Sequence, residues 1–142
     1  MPFRDPVDGL RDICDAIDMI ERFTEGMDFE AFREDSKTVA AVERKLLVIS
    51  EAAIRLGDQG PVLCPDQPWH KIRGTGNWIR HQYERINLSD IWHTVTRRPA
   101  ATESRYHSCV DAAPVLSKID LLHMDWFCRG LVQFCAGGER DG

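Results

Sequence analysis

The stretch Val39-Ala40-Ala41-Val42-Glu43-Arg44-Lys45-Leu46-Leu47-Val48-Ile49-Ser50-Glu51-Ala52-Ala53-Ile54-Arg55-Leu56 decides the fold class of this 142-residue chain. Val39, Val42, Leu46, Ile49, Ala53 and Leu56 follow one another at steps of three and four, which lines them along one face of a helix. Asp35 or Ser36 can cap its start by accepting from an unpaired backbone N–H, and Gly57 can end it. An apolar seam of that length has to be buried against other elements.

The flanking segments supply those elements. Leu10, Ile13, Ile17 and Ile20 predict a helix over residues 7–24, with Asp8, Asp12 and Asp15 on another face and Gly26 beyond its end. Asp28-Phe29-Glu30-Ala31-Phe32 predicts a helical turn that carries two phenyl rings inward. After Gly57, the residues Gly60, Pro61, Pro65 and Pro68 predict a loop of roughly ten residues. The next helix starts at Pro68, since a proline in the first turn loses no hydrogen bond, and Trp69, Ile72 and Ile79 form its apolar side. Gly74 and Gly76 each weaken that helix by about 1 kcal/mol relative to alanine, which asks for close packing or a kink. Asn87 caps a fifth helix with Asp90 three residues on; Leu88, Ile91, Trp92 and Val95 face inward, and Pro99 closes it.

Strand alternation, hairpin dipeptides and internal repeats are lacking, so the expected fold is all-α, an antiparallel bundle of four to five helices. Val115, Ile119, Leu122 and Trp126 are spaced for an extra C-terminal helix ahead of a frayed end at Gly137-Gly138. The expected organisation is a helical domain over residues 1–98 and a C-terminal extension over 99–142.

Composition narrows the function classes. Hydrophobic residues make up 43% and charged ones 29%, a globular balance. No apolar run approaches the roughly 18 residues of a membrane span, and Met1-Pro2-Phe3-Arg4-Asp5 does not open a signal peptide, so no membrane association is expected. Five cysteines without a C-x-x-C pattern read as reduced thiols of a cytoplasmic protein. The net charge of −5 argues against a general nucleic-acid coat, yet residues 70–98 carry six basic and two acidic side chains. A short positive segment in an acidic chain is either a solvated face or a place to meet phosphate.

The chemistry-bearing residues fall within Arg73-Gly74-Thr75-Gly76-Asn77-Trp78-Ile79-Arg80-His81-Gln82-Tyr83. Asn77 and His81 are four apart and share a helix face, a polar pair in a basic setting suited to acid–base or phosphate chemistry. The plainer alternative is a histidine that caps a helix end. His107-Ser108-Cys109 and the pair Cys128 and Cys135 lack the spacing of a zinc site, and Gly74-x-Gly76 precedes no strand–helix unit, so neither a metal nor a cofactor is expected.

Eight groups of residues then occur in one order: Arg4-Asp5-Pro6, Ile20-Glu21-Arg22-Phe23-Thr24, Asp28-Phe29-Glu30-Ala31-Phe32, Val42-Glu43-Arg44, Ile49-Ser50-Glu51-Ala52, Pro68-Trp69-His70-Lys71-Ile72, Asn77-x-x-x-His81-x-Tyr83 and Asp90-Ile91-Trp92. Over residues 4 to about 98, the chain resembles the HepT-like group of HEPN-domain proteins. The resemblance implies a homodimeric helical toxin of a prokaryotic toxin–antitoxin pair, acting as a metal-independent endoribonuclease at the dimer cleft. It also implies a nucleotidyltransferase antitoxin as partner, which silences the toxin by AMP transfer to a tyrosine. Carried over by position, His81 is the catalytic histidine, Asn77 its polar neighbour and Tyr83 the AMP acceptor.

The family signature, Arg-x-x-x-x-His-x-Tyr, places an arginine at position 76, where this chain has Gly76. Arg80, one turn on, and Arg73, three residues before, are candidates to supply the missing cation. If neither does, the resemblance implies a catalytically impaired partner of the nucleotidyltransferase. A weaker third reading is a nucleotide-binding module in which His81 and Arg80 hold a phosphate without chemistry. Ser50 is a second departure, standing where the family commonly has glycine, and reads as a packing change.

Overall fold

In the computed structural model, which describes residues 5–65, 67–81 and 87–96, every regular element is a helix. The first, α1 (Pro6–Thr24), begins where the Asp5 carboxylate accepts from the Val7 N–H at 2.9 Å and Pro6 occupies the first turn. Asp28 caps α2 (Phe29–Glu34) by accepting from the Ala31 N–H at 2.8 Å. Asp35 then caps α3 (Ser36–Leu56), accepting from the N–H groups of Lys37 and Thr38 and from the Thr38 hydroxyl. Gly57 ends α3 at φ +53°, a left-handed conformation that side chains with a Cβ rarely adopt. A single turn, α4 (Gln59–Leu63), precedes α5 (Trp69–His81), and α6 (Leu88–Thr96) starts with Asn87 Oδ1 accepting from the Ser89 N–H at 2.9 Å.

The long helix α3 is the axis of the assembly, packed on one side by α1 and on the other by α5. Leu10, Ile13, Ile17 and Ile20 of α1 meet Val42, Leu46, Ile49 and Ala53 of α3 in one core, joined by Ile72 and Ile79 of α5 and by Ile91 and Val95 of α6. Each such Leu or Ile contributes about 1.5–3 kcal/mol by leaving water. The Phe32 ring joins α2 to α6, its centroid 5.2 Å from that of Trp92. Contacts at both ends show α3 and α5 to be antiparallel: Ala53 and Gly57 meet Arg73, whereas Glu51 meets Arg80.

The all-α bundle matches the expectation from periodicity, with three differences in detail. The expected ten-residue loop contains α4, whose Gly60 packs under the indole of Trp69; a Cβ there would stand a tight 3.1 Å from the ring. Phe32 is buried, but Phe29, at the first position of a short helix, is only half-buried, so one ring rather than two points fully inward. Gly76 has the close packing its presence in a helix asks for, while the exposed Gly74 has no neighbour within 4 Å of a built Cβ and no packing reason. The C-terminal helix expected around residues 115–126 lies outside the described residues, as does Tyr83.

Candidate functional site

The candidate residues gather at the C-terminal end of α5. His81 is the last residue of the helix; Asn77 stands one turn before it, and both are exposed. Arg80, also exposed, lies between them along the chain. An imidazole, an amide and a guanidinium thus share one solvent-facing helix end, able to move a proton, hold a phosphate oxygen and balance its charge.

A backbone clamp sets the height of that helix end against α3. The buried Ser50 hydroxyl donates to the Arg73 carbonyl at 2.7 Å and accepts from the Gly76 N–H at 3.1 Å. The helices approach so closely here that a Cβ at position 76 would fall 2.6 Å from Ser50 Oγ and 2.9 Å from its Cβ. The two departures from the family pattern are therefore one contact: a larger residue at 50 and a smaller one at 76. An arginine at 76 and a serine at 50 cannot share this seam without movement of the helices.

The two candidate replacement cations are placed very differently. Arg73 Nε donates to the Ala53 carbonyl at 3.1 Å, and its Nη2 donates to the Gly57 carbonyl. These carbonyls close α3, where unpaired oxygens concentrate negative partial charge, so Arg73 serves as a C-cap for the neighbouring helix. It also starts eight residues before His81, about 12 Å along the axis at 1.5 Å per residue. Arg80 Nη2 instead donates to Glu51 Oε1 at 2.7 Å in an ion pair exposed on both sides. No spacing within α3 identifies a partner for Glu51; the signal is the α3–α5 register, which is a tertiary property.

One titratable group on α3 has a shifted carboxyl. Glu43 lies one turn before Leu47, whose Cδ2 would be 3.7 Å from a Cβ at position 76, and so points the register toward the His81 end of the antiparallel pair. Burial raises its carboxyl above its ordinary value. At the start of α3, by contrast, the Thr38 hydroxyl and N–H groups hold the Asp35 carboxyl below its ordinary value.

A cavity of about 460 Å³ lies elsewhere, lined by Asp18, Glu21, Arg22, Thr24 and Glu25 of the α1 end and by Val95 and Thr96 of α6. Three carboxylates against one guanidinium make it a poor seat for a polyanion, and it includes none of the candidate residues. Among the described residues, no three His, Cys, Asp or Glu side chains come together as a ligand set for a metal ion, and no helix is long and apolar enough to cross a membrane.

A family model described as Ribonuclease HepT-like matches residues 13–104. The chain is 36% identical over 88 residues to a protein of Thermococcus cleftensis named "Probable ribonuclease HepT", an alignment covering 62% of this chain and 80% of the relative. It is 35% identical over 98 residues to "Putative RNase MJ0127" of Methanocaldococcus jannaschii, covering 69% and 81% of the two chains. A second protein of that organism, "Putative RNase MJ0125", is 33% identical over 94 residues, covering 66% and 81%. No solved structure matches the chain.

Proposed function

The chain belongs to the HepT-like ribonuclease family, and from that premise we propose that it is an endoribonuclease whose reactive end is the C-terminus of α5. The observation that carries this reading is the joint exposure of Asn77, Arg80 and His81 at one helix end. In the proposed step the neutral His81 imidazole takes the proton of a ribose 2′-hydroxyl, and the oxygen attacks the adjacent phosphorus. The P–O5′ bond breaks, leaving a 2′,3′-cyclic phosphate and a 5′-oxygen that takes a proton from water as it departs, and the His81 imidazolium gives its proton back to solvent. Arg80 stabilises the charge gathering on the non-bridging oxygens, and Asn77 holds the phosphate by hydrogen bonds. Arg73, tied to the carbonyls that end α3, contributes through the placement of α5 rather than through the phosphate.

The wider reading is a toxin of a toxin–antitoxin pair acting in the cytoplasm as a homodimer, with residues 1–98 as the active domain. A two-fold pairing presents the same basic segment twice to one groove, which lets an acidic chain hold a polyanion. Ile54, 52% exposed and three residues from Glu51 on α3, is the kind of apolar contact such a pairing would cover. The partner is a nucleotidyltransferase antitoxin, with Tyr83 as acceptor of AMP. Incubation of the purified chain with single-stranded RNA tests the core of the proposal: wild type yields fragments with cyclic phosphate ends, and His81→Ala slows cleavage by about 10²–10⁴-fold.

A second reading is supported by Gly76, which leaves the signature position without a cation. In that reading the chain binds its nucleotidyltransferase but does not cut RNA. Intact RNA with wild type, together with complex formation, selects it.

A further inference from the structure

We propose that Glu51 is a positioning residue for Arg80, fixing its guanidinium so that it meets the phosphate beside His81. This rests on the RNA-cleaving reading above. Glu51 Oε1 accepts from Arg80 Nη2 at 2.7 Å across the seam between α3 and α5. That bond uses one nitrogen of the guanidinium; Nε and Nη1 have no partner among the described residues. Arginine presents five N–H donors in a planar fork, so a carboxylate on one part of the fork leaves the rest for a phosphodiester.

The geometry of this anchor is set one residue away. Ser50 bonds to both the Arg73 carbonyl and the Gly76 N–H, which fixes α5 in height and distance. Neighbouring residues of α3 therefore divide the work. Ser50 holds the helix backbone and closes position 76 to a longer side chain, while Glu51 holds the arginine one turn further on. Arg80 adjoins His81 and stands three residues from Asn77, so the anchored guanidinium is presented at the same helix end as the other two groups.

Charge gives the proposal a sign. A carboxylate at this place repels a polyanion, so Glu51 acts against RNA affinity and its benefit lies in orientation. Neutralising it strengthens or preserves RNA binding while loosening the cation during the reaction. The test measures kcat and KM separately on a single-stranded RNA, with a thermal melt, for wild type, Glu51→Gln, Glu51→Asp and Arg80→Ala. Glu30→Gln, which removes the exposed pair with Arg33 on α2, is the control for loss of a surface ion pair.

The expected result for Glu51→Gln is a kcat about tenfold lower with KM unchanged or reduced, while Tm stays within about 2 °C of wild type because exposed pairs add little stability. Glu51→Asp recovers part of the lost kcat, Arg80→Ala raises KM as well as lowering kcat, and Glu30→Gln changes neither. Wild-type kcat in Glu51→Gln overturns the proposal, and so does an increase, which would make the pair a brake. A kcat loss matched by a fall in Tm assigns Glu51 to stability and also overturns it. Active wild type with unaffected Arg80→Ala removes this inference alone, whereas wild type that leaves RNA intact removes the cleavage reading with it.

Discussion

The two ends of α5 carry arginines seven residues apart that have been put to opposite uses. Near the first turn, Arg73 is bonded to the carbonyls of Ala53 and Gly57, and Trp69 is buried with its indole N–H donating to the Cys64 carbonyl at 2.7 Å. That end is a joint. At the last turn, Asn77, Arg80 and His81 face solvent, and what they send across to α3 is the exposed pair with Glu51. The difference lies in what stands opposite: backbone carbonyls left unpaired at the end of α3 draw one guanidinium into the scaffold, while the other meets the exposed side chain of Glu51. Basic charge in a segment therefore says little until the neighbouring helix is known.

The seam between the two ends is the first place to break this comparison. Gly76→Arg alone is expected to destabilise the fold by about 3 kcal/mol, because its Cβ is driven into Ser50, and to give no gain in RNA cleavage. Ser50→Gly combined with Gly76→Arg is expected to recover most of that stability and to cleave faster than the single variant. Thermal melts and initial rates on one RNA decide it; a Gly76→Arg protein as stable as wild type would show that the seam opens freely. The arginines themselves come next. Arg73→Ala is expected to lower the unfolding free energy by about 2 kcal/mol by stripping carbonyls of a charged donor. Arg80→Ala is expected to change it by less than about 1 kcal/mol. Urea titrations of the two proteins side by side check this, and equal losses would erase the distinction between joint and reactive end.

The smallest effect sharpens the description of the open end. Burial raises the Glu43 carboxyl, so the folded chain binds that proton more tightly than the unfolded one, and protonation favours folding. Stability from this group is present at low pH and is lost as pH rises past the raised folded value. Glu43→Gln is therefore expected to raise Tm by about one degree at pH 7, with the gain vanishing toward pH 4. A gain that persists at pH 4 would assign the effect to packing instead.

The seams of α1, α3 and α6 were legible because a period of three and four residues is a local property of the chain, and the caps at Asp35 and Asn87 are local as well. Asn77 and His81 could be placed on one face for the same reason. The α4 turn was not legible, since Gly60-Pro61 reads as loop and the packing of Gly60 against the Trp69 indole is a tertiary contact. The pairing of Glu51 with Arg80 spans 29 positions and needs the register of two helices, which no spacing within either helix reveals. Ser50 and Gly76 were visible as two departures from a family pattern; only the coordinates make them one contact.

That contact makes the order of two substitutions matter. Trading Ser50 for glycine first removes two hydrogen bonds but leaves open space, a loss a folded protein can survive. Enlarging residue 76 first meets an occupied wall. The two orders of substitution are consequently unequal in cost: shrinking position 50 before enlarging position 76 avoids the clash that the opposite order meets.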